Sequence, residues 1–210
     1  MVTAPQPEPI PHERHLSVAR SVISEALALA SPESFCVAFN GGKDCTAILH
    51  LVLEQRPTFK VLFIVPDPSE EFPEVLDFVK ETVEEFGLHL IEIVGKPVKE
   101  ALAELKTTHP EIGFIFMGTR RTDPYAAHLD HRAPTDQGWP QFIRVNPILD
   151  WSYADVWKFL NDKKVCFLYE EGYSSLGPKS TTKKNPELNS ESGWRHAKTL
   201  GNARSERDGR

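Results

Sequence analysis

Apolar residues along the chain fall into two alternating rhythms. Leu16, Ala19, Val22, Ile23, Ala26 and Leu27 recur at helical spacing, which predicts an amphipathic helix over His12 to Ala30. Phe35 to Phe39 is a short apolar run ended by Asn-Gly-Gly, the signature of a buried strand and its turn. Ala47, Ile48, Leu49, Leu51 and Val52 then predict a helix. Lys60 to Val65 is almost wholly apolar, as a central parallel strand should be, and Pro66-Asp67-Pro68 breaks it. The next helix opens at Pro73, carries Val75, Leu76, Phe78, Val79, Val83 and Phe86 on one side, and closes at Gly87. A strand over Leu88 to Val94, a helix over Val98 to Leu105 and a strand over Gly113 to Met117 follow. A short strand around Arg144 to Leu149 and a helix over Tyr153 to Asn161 complete the pattern. It fades from Pro178 onward, where composition predicts disorder. Met1 to Pro11, rich in proline and polar residues, reads as a flexible arm.

Alternating strands and helices predict an α/β fold with a mostly parallel sheet and helices on both faces. The expected layout is an arm over 1–11, one domain over 12–177 and a tail over 178–210. Ligands of such sheets bind beyond the carboxyl ends of the strands, where strand order reverses. The glycine loop after the first strand, Pro66-Asp67, Gly118-Thr119 and Asp150 all fall at such ends.

The loop Asn40-Gly41-Gly42-Lys43-Asp44-Cys45-Thr46 carries the clearest chemistry. Two glycines permit unusual backbone angles and close approach. The helix that follows offers free N–H groups and a positive dipole end. Together they can cradle phosphate, and Asp44 stands beside the cradle, able to hold a magnesium ion. The glycines alone favour an ordinary strand-to-helix turn, and Asp44 and the segments matched below shift the balance. The loop is neither a Walker A motif nor Gly-x-Gly-x-x-Gly.

Composition narrows the function classes. A chain of 210 residues suits one full core. Its net charge of -6 argues against general nucleic-acid binding. Three cysteines, Cys36, Cys45 and Cys166, form no Cys-x-x-Cys and predict a reducing, cytoplasmic setting. No apolar run reaches membrane-spanning length, and the first residues lack the core of a signal peptide.

The glycine loop resembles the Ser-Gly-Gly-x-Asp-Ser pyrophosphate loop of ATP pyrophosphatases and PAPS reductases, with Asn40 in place of the first serine. That asparagine, together with Gly118-Thr119-Arg120-Arg121-Thr122-Asp123-Pro124-Tyr125, is similar to the eukaryotic FAD synthases, FMN adenylyltransferases on a PAPS-reductase-like domain. The resemblance implies a Rossmann-like, adenine nucleotide alpha hydrolase-like fold. It implies the reaction of ATP with FMN to give FAD and pyrophosphate, with Mg2+. Phe39, Asn40, Gly41, Gly42, Lys43, Asp44, Ile64, Gly118 and Arg120 would then bind ATP, and Asp44 would hold the metal. Asp123 would contact the flavin ring. Trp139 and Arg144, in a Trp-Pro…Arg…Pro pattern, look like the rest of the flavin pocket, although Trp139 by itself serves equally well as a loop anchor. The resemblance also implies that the tail folds back over the site, its Arg207 and Arg210 matching an Arg-x-x-Arg that touches phosphates and joining Asn40 and Asp44 as catalytic residues.

Other readings are bland. Ser152 and Asp155 suggest a capping box. His128 and His131 around Asp130 are solvated loop residues before they are metal ligands, and Cys45 is a packing residue before it is a reactive thiol. The alternatives are a PAPS or APS reductase, which would use a C-terminal Glu-Cys-Gly segment missing here, and a nucleotide-binding protein without catalysis. Small-molecule partners and a monomer are expected, with no nucleic acid and no membrane.

Overall fold

A computed structural model describes residues 12–210; the arm expected over 1–11 lies outside the described residues. The helices are α1 (His12–Leu29), α2 (Lys43–Leu53), α3 (Pro73–Glu85), α4 (Val98–Thr108) and α5 (Tyr153–Phe159). The strands are β1 (Phe35–Ala38), β2 (Lys60–Val65), β3 (His89–Val94), β4 (Phe114–Phe116), β5 (Arg132–Pro134) and β6 (Ile143–Val145), with a small hairpin of β7 (Asn189–Ser190) and β8 (Gly193–Trp194). The six-stranded sheet runs β3-β2-β1-β4-β6-β5. Its neighbours are parallel except β5 and β6. The chain winds outward from β1 to β3 and then crosses back to place β4 on the other side of β1. Strand order therefore reverses between β1 and β4, the place where a ligand crevice opens in such a sheet.

Residue alternation along the central strands assigns the two faces. Val37, Val61, Phe63 and Phe116 join the inner stripes of α1, α2, α3 and α5 in the larger core. Cys36, Leu62, Ile93 and Ile115 face the other way, where Ala101 and Leu105 of α4 and Phe142 cover them. Burial at about 25 cal/mol per Å² of apolar surface is what holds these layers.

The edges differ from the sequence pattern. The expected strand over 144–149 is β6, three residues long, because Asn146 turns the chain: its N–H donates to His131 O at 2.8 Å and its Nδ2 to Asp130 O at 3.0 Å. β5 was absent from the pattern. Arg-Ala-Pro has no alternation, and it is a strand only because β6 lies beside it, with Pro134 tolerated at the sheet edge. The tail predicted to be disordered is ordered. Asn185 Nδ2 donates to Ser174 Oγ at 2.8 Å and to Ser205 O at 2.7 Å, Lys183 N–H donates to Gly209 O at 2.6 Å, and Leu188, Ala197 and Leu200 are buried. Side-chain-to-backbone bonds replace apolar periodicity there, so no periodic pattern announces the order.

The capping box of α5 is formed, and Asp155 does more than cap. It accepts from Ser152 N–H and also meets His12 Nδ1 and His15 Nδ1, each at 3.0 Å, tying α1 to α5. Burial pushes the Asp155 carboxyl up, but the hydrogen bonds from Ser152, His12 and His15 more than offset it and hold it below its ordinary value. A carboxylate depressed on folding adds stability above its unfolded pKa of about 3.9, and that stability is lost as pH falls through the folded value. Asp155→Asn should therefore cost about 1 kcal/mol near pH 7. It should also flatten the fall in stability below about pH 4. Urea titrations at the two pH values check both outcomes.

Candidate functional site

At the reversal point the carboxyl ends of β1, β2 and β4 border a cavity of about 340 Å³. One wall is apolar: Ala38, Leu62, Ile64, Val98 and Met117. The floor is the glycine loop, and the facing wall carries Asp123, Tyr169, Ser175, Arg207 and Arg210.

The loop's shape follows from its residues. Gly41 has φ +73°, a left-handed conformation that costs glycine nothing and other residues about 1–2 kcal/mol. Gly42 starts α2 with no side-chain cap. The hydroxyl of Tyr169 stands in, accepting Lys43 N–H at 2.7 Å. Asn40 Oδ1 turns back to accept Gly42 N–H at 3.2 Å. Cys45 Sγ sits 3.0 Å from both Asn40 Oδ1 and Gly42 O. Burial pushes its thiol up to about 12, so it packs and is not a thiolate. The loop after β4 presses on the same turn. A Cβ on Gly118 would lie 2.6 Å from the Asp44 carbonyl carbon and 2.7 Å from Cys45 N.

At the floor of the cavity and beneath it four charges meet, Lys43 and Asp44 in the lining and Arg120 and Glu206 below. Lys43 Nζ lies 3.1 Å from Asp44 Oδ2 and 2.6 Å from Glu206 Oε1. Arg120 places Nη2 2.5 Å from the same Glu206 oxygen and Nε 2.8 Å from Asp44 Oδ1. The last contact is close but misaligned: Asp44 Oδ1 and Arg120 Nε are buried without a hydrogen-bond partner among the described residues. Lys43 is 2% exposed and Arg120 1%. Burial opposes the Arg120 charge, but Asp44 and Glu206 more than compensate and raise its pKa. Burial likewise pushes Glu206 up, while Lys43 and Arg120 pull it below its ordinary value.

Of the residues singled out from sequence, Phe39, Asn40, Gly42, Lys43, Asp44, Ile64, Gly118, Asp123, Arg207 and Arg210 all line the cavity, with Gly41 between two of them. Arg120 lies under the floor rather than in the wall. Asp123 Oδ2 accepts Arg120 N–H at 2.9 Å, and its Oδ1 accepts from Arg207 Nη2 at 2.7 Å. Arg210 Nη1 reaches Ser175 Oγ at 3.3 Å, and burial beside Arg207 lowers its pKa. Trp139 and Arg144 lie apart from the cavity wall. Arg144 Nη2 binds Pro134 O at 2.8 Å and Asp136 Oδ1 at 3.0 Å, bracing the β5–β6 hairpin. Trp139 is 37% exposed, with Lys99 Nζ 5.9 Å from its ring centre. Arg121, beside Arg120, turns away to Asp150 and the carbonyls of Ala127 and Leu129. No group of three metal-ligating side chains forms among the described residues. Sequence reasoning missed Glu206 and Tyr169: the first is an acid in an unpatterned tail, the second an aromatic in an apolar run.

The profile of the phosphoadenosine phosphosulfate reductase domain matches residues 34–111 and 96–184, and with the glycine loop at the switch point it defines the class of the protein. A probable FAD synthase of Schizosaccharomyces pombe is 36% identical over 99% of this chain and 83% of its own length. A probable FAD synthase of Caenorhabditis elegans is 37% identical over 82% of this chain, which spans only 35% of that longer protein. The crystal structure of Candida glabrata FMN adenylyltransferase in complex with FAD and inorganic pyrophosphate superposes with a TM-score of 0.88 at 25% identity, over 99% of this chain and 93% of that one. The chain belongs to the eukaryotic FAD synthase family.

The close approach at Gly118 gives a test of the floor. Gly118→Ala should destabilise the fold by about 1–3 kcal/mol, since backbone atoms of α2 must move. Gly113→Ala, whose Cβ would meet nothing within 4 Å, should be near neutral. Equal midpoints in urea for both variants would disprove the close approach.

Proposed function

We infer that the protein is an FMN adenylyltransferase, transferring AMP from ATP to the phosphate of FMN to give FAD and pyrophosphate. The observation that carries this reading is one cavity holding the glycine loop at a helix N-terminus, an apolar slot and two arginines facing it. The FMN phosphate has a second pKa of about 6 by analogy with other phosphate monoesters, so it is an anion at neutral pH and needs no general base. The chain then has two tasks: to bring two polyanions together in line and to neutralise the charge that develops. Gly41, Gly42 and the first N–H groups of α2 after that of Lys43, which Tyr169 caps, hold the β- and γ-phosphates of ATP. Asn40 donates to the α-phosphate. The slot of Ala38, Leu62 and Ile64 takes the adenine, with main chain near Ile64 reading its edge. Asp123 accepts from the flavin ring; Trp139 and Arg144 stand apart from the cavity wall, and only their Trp-Pro…Arg…Pro pattern supports a flavin contact for them. Arg207 and Arg210 neutralise phosphate oxygens.

The donor set suits a magnesium ion carried by the nucleotide rather than a resident one. Magnesium is commonly held by one or two carboxylates together with substrate phosphates, and Asp44 supplies one such carboxylate. Its Oδ1 makes no hydrogen bond among the described residues but lies 2.8 Å from Arg120 Nε, and its Oδ2 lies 3.1 Å from Lys43 Nζ, so the ion would take the place of one of these cations. Asp44 would hold the ion, which would neutralise phosphate charge when bound. A reductase reading is disfavoured by the thiols. Burial pushes Cys36 and Cys45 up to about 12 and Cys166 up to about 11, far from the thiolate such chemistry needs. We treat residues 12–177 as the catalytic domain and 178–210 as a tail that closes it. We place the protein in the cytoplasm as a monomer acting on small molecules, without nucleic-acid or membrane partners. Among the described residues no helix is long and apolar enough to cross a membrane.

The direct test is incubation with ATP, magnesium and FMN, followed by assay of FAD and pyrophosphate; no FAD would reject the reading. Asp44→Asn should lower turnover at least ~100-fold, about 2.7 kcal/mol of transition-state stabilisation, and added magnesium should recover part of it. Asp123→Ala should raise the KM for FMN by at least ~10-fold, as loss of a charged hydrogen bond does, while ATP affinity measured by calorimetry stays within twofold.

A further inference from the structure

The glycine loop and the tail meet at one atom. Glu206 Oε1 receives Lys43 Nζ at 2.6 Å and Arg120 Nη2 at 2.5 Å, and both cations continue to Asp44. Glu206 is itself held from its other side. Its carbonyl accepts Ser174 Oγ at 2.8 Å, and the preceding carbonyl, that of Ser205, accepts Asn185 Nδ2 at 2.7 Å. The carboxylate is 6% exposed at the residue level, beneath the cavity and absent from its lining.

The charges of the cluster balance: Lys43 and Arg120 against Asp44 and Glu206. A buried cation needs an anion within reach, because desolvation is otherwise uncompensated. Without Glu206 the two cations would share Asp44 alone. Lys43 is a flexible stem with a compact charge, and its remaining contacts would be the longer one to Asp44 Oδ2 at 3.1 Å and the Tyr153 ring, 5.4 Å from Nζ. With Glu206 present, Lys43 and Arg120 stay committed at the floor and grip Asp44 from two sides. The same contact sets the tail, whose next residue, Arg207, reaches Asp123 and whose Arg210 reaches Ser175.

We propose that Glu206 is a positioning residue for adenylyl transfer: it orients Lys43 and Arg120 around Asp44 and holds Arg207 and Arg210 against the cavity. The proposal rests on the adenylyltransferase reading for its kinetic part. It assigns Lys43 and Arg120 to the support of Asp44 rather than to direct phosphate contact. Glu206 touches neither substrate, so its effect falls on kcat and on tail order together.

The test compares Glu206→Gln, Glu206→Asp and the wild type in two measurements. The first is the rate of trypsin cleavage after Arg204 and Arg207 in the ligand-free protein. The second is FAD formation at saturating ATP, magnesium and FMN. Glu206→Gln should be cut at least ~10-fold faster and should lose about 100-fold in kcat, the scale of one misplaced electrostatic group. Glu206→Asp should recover part of both. Should Glu206→Gln fail to fold, Lys43→Met with Glu206→Gln removes one charge of each sign, keeps the cluster neutral, and should fold yet remain slow. Faster cleavage with unchanged kcat would make Glu206 a tail anchor alone and overturn the positioning role. Wild-type values in both measurements for Glu206→Gln, or wild-type kcat for the double variant, would overturn it too. A wild type that makes no FAD would reject the adenylyltransferase reading instead, and the cleavage rates would still report whether Glu206 ties the tail.

Discussion

The ion cluster of Lys43, Asp44, Arg120 and Glu206 is the constraint on which the site depends. Three segments that share no neighbouring sequence meet there: the glycine loop, the loop after β4 and the tail. Buried charges differ from apolar contacts in that a missing partner is costly. Removing one member of a buried pair typically costs about 3–5 kcal/mol, because the other is left without solvent or counter-charge. Apolar packing tolerates small slips of one segment past another, whereas this cluster holds three segments in one register.

Around it the charged residues divide by depth. Lys43 and Arg120 are almost wholly buried and serve the shape of the floor. Arg207 is 40% exposed at its side chain and faces the cavity, with Asp123 as its partner. A cation with a wet face keeps freedom to exchange one anion for another at little desolvation cost, which is what a ligand-contacting group requires. Tyr169 belongs to the buried set despite being neutral. Its hydroxyl occupies the capping position of α2, where a serine or aspartate would usually stand. Part of the positive end of that helix is thereby met by a group that adds no negative charge.

How much of this was legible in the sequence depended on whether a residue acts through its neighbours in the chain. The central strands and their helices were readable because burial on two faces makes Lys60–Val65 almost continuously apolar, while burial on one face gives α3 its helical period. The glycine loop was readable because Gly41, Gly42 and Asp44 work together within a few residues. Arg120 and Arg121 were readable as a pair but not as opposites: backbone geometry after β4 sends one under the floor and the other to Asp150. β5 was invisible, since Arg132-Ala133-Pro134 is a strand only by courtesy of β6. Glu206 was invisible for a different reason. It is one of 30 acidic residues, and its partners lie 163 and 86 positions away. The order of the tail was misjudged for the same cause, because Asn185 holds it through bonds that leave no mark on apolar spacing.

That separation has a meaning in time. During synthesis the strands of the parallel core emerge in order and can pair once β4 is out. Arg120 and Glu206 are 86 positions apart, and at about 5–20 residues per second the interval between them is on the order of 4–17 s. Domains fold in microseconds to seconds, so the core has time to assemble first. In that interval Lys43 and Arg120 have only Asp44 between them and must remain hydrated. The nascent chain thus passes through a stage with its sheet formed and its floor still wet, and the cavity gains Arg207 and Arg210 on its facing wall only when the tail arrives.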